Sequence, residues 1–129
     1  DYSIEIEVGP EVLTGSTRLK SGTAQKLVLN MITTTAMVLT GKVYQNLMVN
    51  VQMSNEKLEV RAQNIVMEST GVSRDLAKEM ISLANNDVKL AIVMILTGLN
   101  ADEATTLLNQ NKGHVKATIR KMEERKNEY

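Results

Sequence analysis

The chain opens with a short stretch in which polar and apolar residues alternate. Ile4, Ile6 and Val8 are separated by single glutamates, a period of two that is typical of a half-buried β-strand. The pattern therefore predicts a strand over residues 3–8. Because one strand is not stable by itself, we expect it to pair with a second copy or with another part of a longer protein, or else to fray.

A long helix is predicted after this strand. Gly9 and Pro10 break the alternation, a loop follows to about Lys20, and apolar residues then recur at near-helical spacing over 21–39. The run Thr33–Thr35 is unfavourable in an exposed helix. We therefore expect this helix to be buried on several sides and to end at Gly41.

The next stretch mixes two periodicities. Val49, Val51 and Met53 alternate, whereas the residues before them suit a helical turn, so residues 42–53 are predicted to form a helical turn followed by an extended stretch. Ser54 is the predicted cap of a helix over 55–70. The predicted buried stripe of that helix consists of Leu58, Ala62, Ile65 and Val66.

From Gly71 onward the pattern predicts four short helices, over 73–84, 87–97, 100–109 and 114–126. The candidate N-caps are Ser73, Asp87 and Asn100, the last in a capping box with Glu103. Gly98 and Gly113 are the candidate stops. The second of these helices is apolar nearly all round, which predicts that it is central and buried.

The four short helices also contain an internal echo at a shift of 27 residues. Gly71 matches Gly98, Asp75 matches Asp102, and 88–89 match 115–116. Each unit is predicted to be a helix, a turn and a helix, and the two units would pack as a small bundle. Chance similarity between two amphipathic helix pairs is the alternative. The charged end, 120–129, is predicted to fray.

Composition narrows the range of functions. The chain has 129 residues, of which 43% are apolar, enough for one domain, or for a small domain plus an attached piece. A net charge of zero argues against an extended nucleic-acid interface, and no apolar run is long enough to span a bilayer. Without Cys and with only one His, a metal site is not expected. A cytoplasmic location is compatible, and a start at Asp1 without Met suggests a piece of a longer protein.

The candidate chemistry lies in the loop and helix start at 9–26. Three glycines, several hydroxyls and three cations stand between a predicted strand and a predicted helix, an arrangement that often holds phosphate. The candidate donors are Thr14, Gly15, Ser16, Thr17, Arg18, Lys20 and Thr23. The motif is neither a Walker loop nor a dinucleotide fingerprint. The alternative is an ordinary polar loop with a helix cap.

Other charged residues are weaker candidates. Glu11 could serve as an acid, a base or a sugar-hydroxyl acceptor, or it could simply be solvated or tied to Arg18. His114 is expected at the surface without a function. Lys89 and Lys116 occupy matched places in the two repeats and are expected to be exposed cations, with a reach toward an anionic ligand as the alternative.

The loop sequence resembles a known signature. Gly9-Pro10-Glu11, the run 14–20, Ser21-Gly22-Thr23 and Lys26 are similar to the signature shared by N-acetylmuramic acid 6-phosphate etherases and glucokinase regulatory proteins. Leu29-Asn30-Met31 and the run 41–49 resemble the bacterial etherases more than the animal regulators. The same holds for residues 55–58, 61–62 and 65–66. The resemblance extends through Val88-Lys89-Leu90-Ala91 and the closing helices, and so covers essentially the whole chain.

The resemblance implies a fold in which only part of the parent is present. The parent would be an α/β sugar-isomerase (SIS)-type phosphosugar domain, a parallel sheet sandwiched by helices, followed by a small helical bundle similar to ubiquitin-associated (UBA) domains. This chain would be its mainly α C-terminal part. Residues 1–70 would complete the phosphosugar domain, and residues 71–129 would form the small bundle with a charged tail.

The resemblance also implies an activity. These enzymes cleave the D-lactyl ether of N-acetylmuramic acid 6-phosphate, giving N-acetylglucosamine 6-phosphate and D-lactate, by elimination and then hydration in cell-wall sugar recycling. Their catalytic carboxylates would lie outside this chain, so we expect no catalytic residue here and no activity from the chain alone. The expected substrate-binding residues are Glu11, Ser16, Thr17, Arg18 and Lys20.

The expected partners are a phosphorylated amino sugar and a second copy in a homodimer, without a cofactor, metal ion, nucleic acid or membrane. Two alternatives belong to other classes of function. One is a non-catalytic module that senses a phosphosugar and regulates a partner protein. The other is a terminal bundle that binds a peptide or ubiquitin.

Overall fold

The computed structural model describes residues 2–126 and confirms that this part of the chain is mainly α. The chain divides into two compact units, Asp1–Ala36 and Met37–Tyr129, with the boundary inside the first helix. The elements in chain order are α1 (Lys20–Leu39), β1 (Val43–Tyr44), β2 (Leu47–Met48), α2 (Glu56–Thr70), α3 (Arg74–Leu83), α4 (Val88–Thr97), α5 (Ala101–Gln110) and α6 (Val115–Lys126).

The first unit contains the segment 3–8, the loop and most of α1. Residues 3–8 form no strand, so that prediction is wrong for the described part of the chain. The alternation still has a structural consequence, because Ile4, Ile6 and Val8 line an apolar groove of ≈ 240 Å³ together with Ala24 and Val28 of α1. The predicted half-burial is not seen, because Ile4 and Ile6 are exposed. Strand pairing depends on a second strand that the described chain does not supply.

Helix α1 begins and ends within one residue of its predicted bounds, but its predicted burial is wrong. None of its residues is buried, and the exposed large apolar side chains of the first unit include Leu27, Leu29, Met31 and Ile32. One extended segment can cover only one side of a helix. The apolar residues on α1 are therefore more numerous than the first unit can bury.

After the last residues of α1, the second unit continues with a turn and a hairpin. Gly41 ends α1, as predicted, with a φ of 67°, and its N–H donates to the carbonyl of Val38 at 3.1 Å. The predicted helical turn after it is wrong, because β1 and β2 form an antiparallel pair in which Val43 is opposite Met48. The two-residue turn between them places Gln45 at a φ of 55°, without the glycine that usually signals such a hairpin.

Helix α2 follows with Asn55 as its N-cap, so the prediction of Ser54 was one residue early. The Asn55 side chain accepts from the N–H of Leu58 at 3.0 Å. Three of the four predicted stripe residues, Ala62, Ile65 and Val66, are buried, and Leu58 is half-buried. Gly71 closes the helix in the left-handed conformation.

Helices α3 to α6 match their predicted ranges within one residue at every end. Ser73, Asp87 and Asn100 cap their helices, and the capping box at Asn100 and Glu103 is present. The prediction that α4 is central is confirmed, because seven of its ten residues are buried and it packs on α2, α3, α5 and α6. Helix α6 continues to Lys126, so the predicted fraying from Arg120 is wrong up to that point. Residues 127–129 lie outside the described part.

The 27-residue echo is a structural repeat. Helices α3 and α5 begin at Arg74 and Ala101, and α4 and α6 begin at Val88 and Val115, each pair 27 residues apart. The turns agree as well: the N–H of Asn86 donates to Ile81 at 3.0 Å, and that of Gly113 donates to Leu108 at 2.9 Å. Since helix starts and turn hydrogen bonds recur in register, the similarity is more than shared amphipathic composition.

One apolar core fills the second unit. It combines Val49 after the hairpin with α2, α4 and the inner faces of α3, α5 and α6. Within residues 2–126, no single helix is long and apolar enough to cross a membrane, and α3 with α4 meets that length and composition only as a pair bent by 111°. The predicted domain boundary after residue 70 stays a prediction.

Candidate functional site

The predicted site is a loop closed by the carboxylate of Glu11. Its Oε2 accepts from the backbone N–H of Lys20 at 3.0 Å, and its Oε1 accepts from the backbone N–H of Ser21 at 3.0 Å. These are the first two residues of α1. The residue directly before the helix is Leu19, whose apolar side chain cannot cap. Glu11 therefore caps α1 from nine residues upstream.

The remaining N-terminal donors of α1 are also occupied. The N–H of Gly22 donates to the carbonyl of Thr17 at 2.9 Å, and the N–H of Thr23 donates to that of Leu19 at 3.0 Å. The bond from Thr23 is the first ordinary i→i−4 bond of the helix. Of the N–H groups that a helix start leaves unsatisfied, those of Lys20, Ser21 and Gly22 thus have partners inside this unit. The alternative of a polar loop with a helix cap describes this arrangement, in which the N–H groups of Lys20, Ser21 and Gly22 are not free for a phosphate.

Lys20 makes a second connection across the same loop. Its Nζ donates to the carbonyl of Pro10 at 3.0 Å. The ammonium group is also 4.0 Å from the position where a Cβ on Gly9 would lie, and Gly9 has a φ of +69°. Residues 10–11 and 20–21 are therefore joined by three hydrogen bonds.

The other three predicted substrate-binding residues lie on the closed loop. Thr17 and Arg18 are exposed and Ser16 is half-buried. The backbone N–H of Ser16 donates to Leu13 at 3.0 Å, but within residues 2–126 none of these three side chains has a hydrogen bond or ion pair. The five predicted residues thus belong to one closed loop, and among the described residues two hydroxyls and one guanidinium of this loop are left for a ligand.

The electrostatics of the loop follow from the cap. The backbone N–H groups of Ser21 and Lys20 stabilise the charged carboxylate, and they hold the pKa of Glu11 below its ordinary value. A carboxylate at a helix N-terminus is also favoured by the helix dipole. Glu11 is therefore ionised at neutral pH, and the sequence alternative in which it is tied to Arg18 is not what the structure shows.

The weaker candidates lie in the second unit. His114 and Lys116 line a groove of ≈ 570 Å³ with Arg120, Lys121 and other residues of α6. Lys116 is exposed as predicted, whereas Lys89 is half-buried, with its Nζ 3.3 Å from the position of a Cβ on Gly113. Within residues 2–126 there is no group of three or more His, Cys, Asp or Glu side chains that could hold a metal ion.

A second groove of this unit is lined by no predicted site residue. It has a volume of ≈ 750 Å³ and lies between α5 and α6, with Leu99, Leu107 and Met122 as its main apolar residues. Asp102 and Arg125 stand among the polar residues that line it. Nothing in the sequence pattern had singled it out, because a groove between two helices depends on their packing.

The chain is similar to one class of curated proteins, sugar-phosphate etherases from bacteria. The relatives are named N-acetylmuramic acid 6-phosphate etherase, and the similarity lies in their C-terminal part. The chain is 57% identical to the one from Exiguobacterium sp. (strain ATCC BAA-1283 / AT1b) and 56% identical to the one from Actinobacillus succinogenes, each over 92% of this chain. It is 51% identical to the one from Clostridioides difficile over 95% of this chain. No protein-family profile matches the chain.

The similarity includes the loop. A contiguous match of 119 out of 129 residues necessarily contains residues 11–119. The chain spans about 40% of the length of these curated relatives. The expected resemblance to the etherases is thus confirmed, and the names of the relatives do not favour the alternative of a non-catalytic regulatory module.

Proposed function

We propose that this chain is the C-terminal part of an N-acetylmuramic acid 6-phosphate etherase. The identity of 57% over 92% of the chain carries this proposal. The parent enzyme would be a carbon–oxygen lyase that releases D-lactate from its substrate and leaves N-acetylglucosamine 6-phosphate. The chain would complete an SIS-type phosphosugar domain and add a UBA-like bundle.

The loop would form one wall of the substrate site. Its free guanidinium, Arg18, suits a phosphate or a carboxylate, because its planar N–H groups can donate to two oxygens at once. The substrate has both groups, one on the sugar and one on the lactyl ether. The hydroxyls of Ser16 and Thr17 can donate to the same anion or accept from sugar hydroxyls.

The acid and the base of the reaction would come from outside this chain. Elimination of the lactyl ether across the C2–C3 bond needs a base and an acid. The base removes the proton from C2, which is next to the carbonyl carbon of the open sugar, and the acid protonates the lactyl oxygen as it leaves C3. The carboxylate in the loop, Glu11, is engaged with two backbone donors and is ionised. We therefore propose that it supplies neither group, and that the isolated chain does not turn over the substrate.

A chimeric enzyme tests the proposal. Residues 11–129 would replace the matching C-terminal part of the Exiguobacterium relative, and release of D-lactate from N-acetylmuramic acid 6-phosphate would be measured. We expect turnover within about tenfold of that relative, and none from residues 1–129 alone. A folded chimera without activity would contradict the proposed function, and rapid turnover by the isolated chain would contradict its incompleteness.

Substitution of Arg18 in the chimera tests the loop. We expect Arg18→Ala to raise KM by roughly tenfold to a hundredfold, the effect of losing about 1.5–3 kcal/mol of charged hydrogen bonding. Arg18→Lys keeps the charge, and its KM should lie between that of the unsubstituted chimera and that of Arg18→Ala. Lys57→Ala, an exposed cation on α2, is the matched control and should leave KM unchanged. An unchanged KM for Arg18→Ala would show that Arg18 does not bind the substrate.

We also propose that the parent enzyme is a cytoplasmic homodimer. The exposed apolar residues on α1 support contact with further protein. Sedimentation of the chimera would decide the oligomeric state. A single species with the mass of one chain at micromolar concentration would contradict the dimer.

A further inference from the structure

We infer that Glu11 and Lys20 are positioning residues that hold the loop in shape, whereas the substrate is contacted by the side chains between them. This inference rests on the proposed function and assigns roles within the same site. It divides the five predicted substrate-binding residues into two groups. The observation that separates them is how each side chain already uses its polar atoms.

Glu11 uses both carboxylate oxygens inside the loop. Each oxygen accepts one backbone N–H of α1 at 3.0 Å. A ligand group bonded to the same oxygens would have to share them with donors that keep the start of the helix satisfied. Removal of the carboxylate would leave two helix N–H groups without a protein acceptor, because Leu19 cannot replace it.

Lys20 is engaged in the same way. Its ammonium group donates to the carbonyl of Pro10 at 3.0 Å, and the described part of the chain gives it no ion pair with Glu11. The two side chains cross in opposite directions: Glu11 reaches forward to the helix, and Lys20 reaches back to the residue before Glu11. Together the three hydrogen bonds close residues 12–19 into a ring that neither side chain would fix alone.

The ring determines where the free groups point. Ser16, Thr17 and Arg18 lie immediately before the closure, and Thr17 also contributes its carbonyl to the N–H of Gly22. Because backbone groups of this segment are part of the cap, loss of the cap would move the same residues that offer their side chains to the ligand. Glu11 would therefore affect substrate binding without touching the substrate.

A rescue experiment tests the inference in the chimera. Glu11→Ala should reduce kcat/KM by about tenfold or more without changing the limbs of its pH profile. Adding Leu19→Asp places a carboxylate at the ordinary N-cap position and should recover most of that loss. Glu7→Gln, an exposed acid upstream of the loop, is the control and should have no effect in a chimera extended to include residue 7. A direct substrate contact by Glu11 would not be restored by Leu19→Asp, so absence of rescue would overturn the inference.

Amide hydrogen exchange gives a second readout that does not depend on catalysis. In residues 1–129, Glu11→Gln should accelerate exchange of the Lys20 and Ser21 amides by roughly tenfold, while amides of α4 keep their rates. Unchanged exchange at both amides would refute the cap whatever the activity. An inactive wild-type chimera with accelerated exchange in Glu11→Gln would instead count against the proposed function and leave the cap intact.

Discussion

The close approach of two turns in the second unit gives a prediction whose size can be estimated from the structure. Gly41 is buried and has a φ of +67°. A Cβ at this position would lie 2.8 Å from the carbonyl oxygen of Gly113, 2.9 Å from its carbonyl carbon and 3.2 Å from the nitrogen of His114. All three atoms are backbone, so no flexible side chain can move aside.

The turn that a Cβ on Gly41 would meet is itself fixed. The N–H of Gly113 donates to Leu108 at 2.9 Å, and that of His114 donates to Asn111 at 3.0 Å. Gly41→Ala should therefore cost about 1–2 kcal/mol for the left-handed conformation and about 1–3 kcal/mol more for overpacking. Part of this cost is offset because alanine has a lower backbone entropy than glycine in the unfolded chain.

Gly71→Ala separates the cost of the left-handed conformation from the cost of overpacking. Gly71 has a φ of +77° but nothing within 4 Å of its Cβ position, so this variant should carry only the conformational cost. Urea unfolding followed by circular dichroism at about 222 nm would compare them. With a slope of about 1–3 kcal/mol per molar urea, the Gly41→Ala midpoint should fall roughly 1 M below that of Gly71→Ala. Equal midpoints would refute the argument from close approach.

Three further predictions concern the core, the helix caps and pH. Ile92→Ala, at a site with 0% exposure, should cost about 2–5 kcal/mol in urea unfolding, and Leu96→Ala, at 38% exposure, less than about 1 kcal/mol; similar losses would contradict the central place of α4. Asp87→Ala should lower the free energy of unfolding by about 1 kcal/mol, because α4 loses its N-cap. His114→Asp places a cap at the matching position before α6 and should raise the thermal midpoint. A lowered midpoint would contradict the equivalence of positions 87 and 114 in the repeat. The pKa of Glu11 is depressed, so its contribution is present above the unfolded pKa and is lost as pH falls through the folded pKa; NMR titration of its carboxyl should show a midpoint below that of a glutamate in an unstructured peptide, and an equal or higher midpoint would contradict the cap.

The helices were predictable because their ends are encoded locally. Ser73, Asp87 and Asn100 cap the helices that follow them, and Gly98 ends α4, within a few residues of the groups they satisfy. Such signals require no knowledge of the rest of the fold. For α2 the predicted cap, Ser54, was one residue away from the observed cap, Asn55, because serine and asparagine are equally good N-cap residues.

Long-range pairing explains what was missed. The hairpin at 43–48 has no Gly in its turn, and its short strands are defined by each other rather than by their own periodicity. The role of Glu11 depends on contacts nine and ten residues away. A sequence signal for it did exist, since an apolar Leu19 directly before a helix leaves that helix without a local cap.

Helix α4 belongs to two structural environments at once. It is the second helix of the first repeat, and it is also the surface on which α5 and α6 pack. With α2 packed on it as well, α4 faces another helix on almost every side, which explains why it has no polar stripe while α6, its counterpart, has one. The duplicated sequence should accordingly show one shared region of low mutational tolerance, at 88–97, rather than two equal ones.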